Sequence, residues 1–418
     1  MKVEIMPSGI GGSIRAISSK SDAHRAIICA ALADKKTSIY ISETSEDINA
    51  TLACIKAMGA DVFKDGKKII INPIKVVRED YTEDCNESGS TLRFLLPVAA
   101  ALGKKATFTG KGRLPERPMS PIINLLREKG IDVSSDVLPF TLNGNLEAGE
   151  FKIEANVSSQ FISGLMFALS ILSGKSSIEL LSKLESKAYV NMTISVLQKF
   201  GARIQTTAKG YEIEGRERLS SPREYIVEGD WSNCAFFLVG AALAGKVKMT
   251  GLDKTSKQSD KAILDILKFS GAGFKVCGDT VCVQKSTIKP FDLDVSECPD
   301  LFPITAVLAC GAKGKSTLYN AKRLRIKESD RISATKELIL GLGGQAEETE
   351  DSLIIYGTGK LFGGNVKSYN DHRIAMSAFI ASCICEDKVV LDGAEAIKKS
   401  YPDFIRDFES LGGEANVI

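Results

Sequence analysis

Seven charged side chains fall within the ten residues 322–331, the densest charged segment of the chain. Apolar and basic residues alternate there, which predicts a strand with Arg323, Arg325 and Lys327 on one face. Cations that converge on one face can bind phosphate or carboxylate groups. The alternative is a solvated charged surface.

Asp300 and Glu328 are the candidate groups for proton transfer. Catalytic proton transfer needs a base that takes up a proton and an acid that gives one, and carboxyl groups can serve as either. Glu328 and Arg331 have a spacing at which two helical side chains meet. Asp300 follows Pro299, where an aspartate can instead cap a helix.

Two segments place small polar residues directly before an apolar helix. In residues 18–25, hydroxyls and backbone N–H groups can face an anion at a helix amino terminus, while Lys20 adds a point charge and Arg25 a planar fork. Residues 87–93 have the same design, with a glycine that lets a ligand approach the backbone. The alternative for both is a plain helix cap with surface charges.

Four further places fit the same chemistry. Arg117 lies between two prolines, which stiffen the chain and reduce the entropy cost of fixing its side chain. Residues 157–161 offer two hydroxyls and an amide just before a helix, as a phosphate site or a plain cap. Residues 369–373 and 398–403 carry basic groups just ahead of a helix.

The overall composition limits the partners. The formal net charge is +2, from 54 basic and 52 acidic residues, so no bulk positive field draws the chain to nucleic acid or a membrane. Two histidines and ten scattered cysteines without a C-x-x-C pair argue against a metal site or a disulfide framework. No run is long enough to span a membrane and the start lacks a signal-peptide core, so we expect a cytoplasmic protein.

A sixfold repeat must position these segments. A helix ending in apolar-x-x-x-Gly and followed by a short strand recurs at intervals of 71, 71, 70, 72 and 69 residues. The glycines are Gly59, Gly130, Gly201, Gly271, Gly343 and Gly412. Each copy is too small to bury its own faces, so six must pack together, either as one ring or as two lobes of three. The stretch 224–230 marks the expected lobe boundary.

These segments, in this order and on this repeat, resemble the EPSP synthase (3-phosphoshikimate 1-carboxyvinyltransferase) family of enolpyruvyl transferases. The resemblance covers essentially the whole chain. Its matching segments are SKSxxxR at 19–25, SGSTLR at 88–93, ERP at 116–118, SSQF at 158–161, PD at 299–300, KESDR at 327–331, NDHR at 370–373 and KSYPDF at 399–404.

The resemblance implies a two-lobed, inside-out α/β barrel of six βαβαββ repeats. Residues 18–227 would form one lobe with repeats 1–3, and residues 228–418 with residues 1–17 the other, with the active site in the cleft between them. It implies a monomer that needs no cofactor or metal and acts on small-molecule substrates.

The implied reaction moves the enolpyruvyl group of phosphoenolpyruvate to the 5-hydroxyl of shikimate 3-phosphate through a tetrahedral ketal phosphate. The implied catalytic residues are Lys20, Asp300, Lys327 and Glu328. The residues implied for shikimate 3-phosphate are Lys20, Ser21, Arg25, Ser158, Ser159, Gln160, Ser186, Tyr189, Asp300 and Lys327. Those implied for phosphoenolpyruvate are Lys20, Gly89, Arg117, Gln160, Arg331, Arg373 and Lys399, with Ser90, Arg93, Arg323 and His372 in support.

Two departures from the family pattern stand out. Residues 87–90 read Glu-Ser-Gly-Ser where many members have Asn-Ala-Gly-Thr, which leaves sensitivity to the inhibitor glyphosate open, and Arg323 stands where Asn is common. The competing hypotheses are the related transferase that acts on UDP-N-acetylglucosamine and a non-catalytic phosphometabolite-binding protein. The first would carry an Asn-containing motif after the lysine and usually a reactive loop cysteine, whereas Ser21 and Arg117 stand here. The second would not need both acids.

Overall fold

A computed structural model describes all 418 residues of the chain. It divides into a first unit, residues 1–19 with 228–418, and a second unit, residues 20–227. The predicted boundary puts residues 18 and 19 in the second unit. They belong to the first because Ser18 forms a β-bridge with Gly229 and the Ser19 N–H donates to the Glu228 carbonyl at 2.7 Å.

The chain forms 24 strands and 12 α-helices. The strands are β1 (Lys2–Met6), β2 (Gly11–Arg15), β3 (Thr37–Tyr40), β4 (Asp61–Asp65), β5 (Lys68–Asn72), β6 (Asp80–Asp84), β7 (Lys105–Thr109), β8 (Asp132–Val133), β9 (Phe140–Asn143), β10 (Glu150–Ile153), β11 (Gly174–Leu180), β12 (Arg203–Thr206), β13 (Gly210–Gly215), β14 (Glu224–Ile226), β15 (Lys246–Thr250), β16 (Gly273–Cys277), β17 (Thr280–Gln284), β18 (Asp292–Asp294), β19 (Lys313–Tyr319), β20 (Ala346–Glu348), β21 (Leu353–Thr358), β22 (Gly364–Lys367), β23 (Val389–Asp392) and β24 (Glu414–Val417). The helices are α1 (Lys20–Ala31), α2 (Glu46–Met58), α3 (Gly89–Leu102), α4 (Ser120–Glu128), α5 (Ser159–Leu169), α6 (Lys187–Lys199), α7 (Trp231–Ala244), α8 (Ile263–Phe269), α9 (Phe302–Cys310), α10 (Arg331–Gly341), α11 (His372–Ser382) and α12 (Phe404–Ser410). Short 3₁₀ turns lie at Leu114–Glu116, Ser259–Ala262, Pro299–Leu301, Lys322–Ile326 and Ala394–Lys399.

Six four-stranded sheets repeat one pattern, in which a parallel pair is extended by two antiparallel strands. The strand orders are β14-β3-β5-β4, β6-β7-β9-β8 and β10-β11-β13-β12 in the second unit, and β2-β15-β17-β16, β18-β19-β21-β20 and β22-β23-β1-β24 in the first. The six repeat glycines all have positive φ, between 75° and 123°, which favours glycine over residues that carry a Cβ. The predicted α/β fold of six repeats is confirmed.

Each unit has its own hydrophobic core, built around three apolar helices. These are α1, α3 and α5 in the second unit and α7, α9 and α11 in the first, and their side chains are buried almost throughout. Side-chain caps begin several of them, including Ser88 at α3, Ser158 at α5 and Asp371 at α11. Four of the polar segments singled out in the sequence, residues 18–25, 87–93, 157–161 and 369–373, therefore lie at the amino ends of buried helices, where the core fixes their positions. None of the helices has the length and apolar character needed to cross a membrane.

The strand predicted for the basic segment is wrong, since residues Lys322–Ile326 form a 3₁₀ turn. The turn forms because the Lys322 N–H donates to Asp351 Oδ1 at 2.6 Å and the Leu324 N–H donates to the Ala321 carbonyl at 2.8 Å. Leu324 is buried whereas Ile326 is exposed, so the two apolar residues do not share a buried face as strand alternation required.

Glu83 of β6 is a fully buried carboxyl group, and neither of its oxygens has a hydrogen-bond partner. Burial, with the nearby Cys54, raises the pKa of Glu83 well above its usual value, so the folded protein favours the neutral form. Unfolding releases the group to ionise above about pH 4.3, and the protein therefore loses stability as pH rises from there toward the folded pKa.

We expect Glu83→Met to be more stable than the wild type at pH 7, with a difference that grows with pH by up to about 1.4 kcal/mol per unit. Urea unfolding followed by circular dichroism at several pH values measures this. A wild-type stability whose pH dependence matches that of the variant would contradict the buried neutral carboxyl.

Candidate active site

Arg331 is at the centre of an ion cluster in the first unit, with a side chain only 1% exposed. Its Nη1 donates to Asp300 Oδ1 at 2.7 Å, its Nη2 to Glu328 Oε2 at 2.7 Å and its Nε to Asp371 Oδ2 at 2.8 Å. Burial acts to lower the pKa of Arg331, but the three carboxylates raise it well above its usual value. Charge-assisted hydrogen bonds on three sides fix the plane of the guanidinium group.

Asp300 binds two further cations. Arg373 donates from Nη2 to Asp300 Oδ2 at 3.0 Å and from Nη1 to its backbone carbonyl at 3.1 Å, and Lys327 Nζ lies 3.9 Å from Oδ1. Burial opposes ionisation, but Arg373, Lys327 and Arg331 together hold the pKa of Asp300 well below its usual value. Asp300 is therefore a carboxylate at neutral pH.

The other predicted residues of the first unit lie around this cluster or near it in the chain. Lys399 Nζ donates to the carbonyl of Asn370 at 2.7 Å, next to Asp371 in the chain. His372 is the first residue of α11 and is buried. Arg323 turns to the carbonyl of Ser296 at 2.8 Å, while Arg325 pairs with Asp330 at 2.8 Å, so the predicted common face of cations does not form.

In the second unit, Arg25 joins α1 to α6. Its Nε donates to Thr193 Oγ1 at 2.8 Å, its Nη1 to the Ser21 carbonyl at 2.6 Å and its Nη2 to the Tyr189 carbonyl at 3.1 Å. Burial lowers the pKa of Arg25 to about 10, which still leaves it charged at neutral pH. Ser186 lies at the amino cap of α6 with a left-handed backbone, φ 54°. Tyr189 follows three residues later, in the first turn of the same helix.

Lys20 is the first residue of α1 and lies against α2. Its Nζ is 2.8 Å from Asp47 Oδ2, and both side chains are mostly buried. The pair holds the lysine ammonium at the amino end of α1, near Ser21 in the chain.

The side chain of Gln160, in α5, is held by two residues of α3. Its Nε2 donates to Ser90 Oγ at 2.8 Å, and its Oε1 accepts from Arg93 Nη1 at 2.9 Å. Arg93 also donates from Nη2 to the Pro118 carbonyl at 3.3 Å, so it supports the chain next to Arg117. Ser158 caps α5 by accepting from the Gln160 N–H at 3.3 Å, and Ser159 is the first residue of that helix. Ser158 therefore has the helix-cap role that is the alternative to a phosphate site.

Arg117 lies directly against the backbone of Gly89. A Cβ added to Gly89 would come within 2.5 Å of Arg117 Nη1 and 2.8 Å of its Cζ. Only a residue without a side chain permits this contact, which explains the glycine at the start of α3.

Sequence reasoning missed three partners of these residues, Asp371, Asp47 and Thr193. Asp371 is fully buried and caps α11. Its position directly before a helix that opens with His-Arg could have indicated a cap, but its ion pair with Arg331, 40 positions away, has no local signal. Asp47 is 27 positions from Lys20 and Thr193 is 168 positions from Arg25, so these pairs have no local signal either.

Comparison with known proteins identifies the family. The family model described as EPSP synthase (3-phosphoshikimate 1-carboxyvinyltransferase) matches residues 6–408. This chain belongs to the EPSP synthase family. A 3-phosphoshikimate 1-carboxyvinyltransferase of Clostridium novyi (strain NT) is 45% identical to this EPSP synthase family member over 98% of the chain and 97% of its own length. That of Methanocorpusculum labreanum is 39% identical over 99% of each.

Solved structures agree with this EPSP synthase family assignment. The structure of EPSP synthase from Acinetobacter baumannii is 26% identical, with a TM-score of 0.82 over 100% of both chains. The enolpyruvyl transferase NikO from Streptomyces tendae has a TM-score of 0.80 over 99% of this chain and 98% of its own, at 16% identity, which bears on the fold alone.

Proposed function

We propose that this protein transfers the 1-carboxyvinyl group of phosphoenolpyruvate to the 5-hydroxyl of shikimate 3-phosphate, with release of phosphate. The observation that carries the proposal is the cluster of Asp300, Lys327 and Glu328 around Arg331, because it joins a base, an acid and cations for anionic substrates. The product would enter the shikimate pathway to chorismate and the aromatic amino acids. Membership of the EPSP synthase family over nearly the whole chain supports the proposal.

Both substrates are anions, so the site must overcome their mutual repulsion. We assign phosphoenolpyruvate to Lys20, Gly89, Arg117, Gln160, Arg331, Arg373 and Lys399. We assign shikimate 3-phosphate to Lys20, Ser21, Arg25, Ser158, Ser159, Gln160, Ser186, Tyr189, Asp300 and Lys327. Ser90, Arg93, Arg323 and His372 have supporting places, which for Arg93 and Ser90 agree with their hydrogen bonds to Gln160.

In the proposed mechanism, the 5-hydroxyl oxygen bonds to C2 of phosphoenolpyruvate as its proton passes to Asp300, positioned by Lys327. Glu328, which must be in its protonated form at this step, gives its proton to the methylene carbon, and a tetrahedral ketal phosphate results. The C–O bond to phosphate then breaks, Glu328 removes a proton from the new methyl group, and the vinyl group is restored. The proton on Asp300 leaves with the phosphate.

The charges around Asp300 affect its strength as a base. Arg331 and Arg373 both donate to its carboxylate, and a base with a strongly lowered pKa takes up a proton weakly. The carboxylate of phosphoenolpyruvate would compete for both guanidinium groups. Its binding would therefore raise the basicity of Asp300 when the substrate is present.

The expected effect of Gly89→Ala follows from the contact with Arg117. The new methyl group must displace the guanidinium group, which lies at the flexible end of its side chain, so the fold should be kept. We expect the KM for phosphoenolpyruvate to rise about tenfold, the scale of one lost charge-assisted hydrogen bond. Steady-state kinetics with varied phosphoenolpyruvate measure it. An unchanged KM would remove Arg117 from the phosphoenolpyruvate site.

We further propose that the protein acts in the cytoplasm as a monomer, with no cofactor, metal, nucleic acid or membrane partner. The transferase that acts on UDP-N-acetylglucosamine and the non-catalytic binding protein are less well supported, since the relatives that match nearly the full length are named 3-phosphoshikimate 1-carboxyvinyltransferase.

The deciding experiment incubates the purified protein with phosphoenolpyruvate and either shikimate 3-phosphate or UDP-N-acetylglucosamine. Phosphorus and proton NMR follow phosphate release and the enolpyruvyl ether. Turnover with shikimate 3-phosphate alone is expected. Turnover with the sugar nucleotide would move the chain to the sister activity, and turnover with neither acceptor would refute the proposed reaction.

A further inference from the structure

Four buried side chains form a continuous hydrogen-bonded chain through the second unit, which we call the His24 chain. His24 Nδ1 lies 2.7 Å from Thr51 Oγ1, Thr51 Oγ1 lies 2.7 Å from Thr91 Oγ1, and Thr91 Oγ1 donates to Ser88 Oγ at 2.7 Å. None of the four is more than 1% exposed. The chain crosses from α1 to α2 and ends at the amino cap of α3.

The hydroxyl protons fix the state of His24. Because the single hydroxyl proton of Thr91 goes to Ser88, the contact between the threonines must use the proton of Thr51. The Thr51 oxygen can then only accept from the imidazole. His24 is therefore protonated at Nδ1, and its buried Nε2, which has no hydrogen-bond partner, carries the lone pair. Burial, Lys20 and Arg25 all lower the pKa of His24, which agrees with a neutral ring.

The His24 chain lies beside groups that we assign to substrate. On α1, His24 is one turn after Lys20, and on α2, Thr51 is one turn after Asp47, so the ion pair and the hydrogen bond are successive links between the same two helices. At the other end, Ser88 caps α3 and accepts from the Thr91 N–H at 3.2 Å.

Gly89 and Ser90, the two residues after Ser88, each contact a side chain that we assign to substrate binding. Arg117 packs on Gly89, and Gln160 donates to Ser90 Oγ. A small shift of this helix end would therefore move an arginine and an amide together, while Lys20 stays with α1.

We propose that His24 is a positioning residue that, through Thr51 and Thr91, holds the amino end of α3 in register with Lys20, so that Arg117 and Gln160 face the same substrate as the lysine. This rests on the proposed function. It predicts a loss in substrate affinity when the hydrogen bonds of the His24 chain are broken, whereas a purely structural histidine would affect stability alone.

The tautomer can be read directly. The protein has only two histidines, so its ¹⁵N imidazole resonances can be assigned with one variant, His24→Asn. We expect a neutral His24 ring with a protonated Nδ1 and an unprotonated Nε2. A ring protonated at Nε2 instead would overturn the proposal, whatever the enzymatic activity.

The kinetic test uses two matched pairs of variants. In His24→Asn the amide nitrogen can take the place of Nδ1 and keep the donor, whereas in His24→Gln the amide reaches the place of Nε2 and the donor to Thr51 is lost. Thr51→Ser keeps the hydroxyl and Thr51→Val replaces it with a methyl group. We expect His24→Gln and Thr51→Val to raise the KM for phosphoenolpyruvate about tenfold, with a much smaller change in kcat.

Stability separates positioning from packing. His24→Asn removes more volume than His24→Gln and should unfold at the lower temperature, yet it should keep the wild-type KM. If KM instead follows thermal stability across the four variants, His24 has a structural role only and the proposal fails. Absence of wild-type turnover would be a failure of the proposed reaction and is seen before any variant is made.

Discussion

Glu328→Gln should reduce kcat about 10²- to 10⁴-fold, the range typical of a lost general acid or base. The amide has the shape of the carboxyl group and can still accept the hydrogen bond from Arg331 Nη2, which now spans 2.7 Å to Glu328 Oε2. Its N–H protons are too weakly acidic to be given to the methylene carbon. Steady-state kinetics with both substrates saturating measure the loss, and the KM values should change much less.

Glu337→Gln is the matched control, because Glu337 lies in α10, is about half exposed and has only a loose ion pair with Lys336 at 3.9 Å. The same chemical change there should leave kcat close to the wild-type value. A Glu328→Gln enzyme with wild-type kcat would exclude Glu328 as the proton donor, while folding of both variants is checked by circular dichroism.

The sixfold fold could be predicted because its signals are local. Each repeat glycine ends a helix through its own backbone angles, and the residues that alternate in a strand lie next to one another in the sequence. The segment Lys322–Ile326 has the same alternation but forms a turn, because Asp351, 29 positions away, accepts from the Lys322 N–H. A distant partner decided the outcome there.

In the candidate site, too, local features could be predicted from the sequence and distant pairings could not. Residue types and their order indicated which cations and acids matter, but not that Arg331 is saturated by three carboxylates. Those bonds join Arg331 to Asp300 and Asp371 across 31 and 40 positions. Nothing in the local sequence distinguishes an arginine that is free to bind a ligand from one that is already paired inside the protein.

The pairing of Arg331 predicts a large effect on folding. Arg331→Met should lower the free energy of unfolding by about 3–5 kcal/mol, because it leaves the fully buried Asp371 without its charge partner. Trp231 is the single tryptophan, is buried in the same unit, and reports the transition by fluorescence during urea unfolding.

The control for that loss is Arg406→Met, since Arg406 is 67% exposed and pairs with Asp403 at 2.7 Å on the surface of the same unit. It should change stability by less than about 1 kcal/mol.

The sign of the pH dependence gives a further check. The Arg331–Asp300 pair stabilises the folded protein, and the pKa of Asp300 is lowered on folding. This stabilisation is complete above about pH 3.9 and is lost as pH falls through the pKa of Asp300 in the folded protein. The difference between wild type and Arg331→Met should therefore shrink in acid, and a difference that is constant down to low pH would mean that Arg331 stabilises the unit by packing rather than by charge.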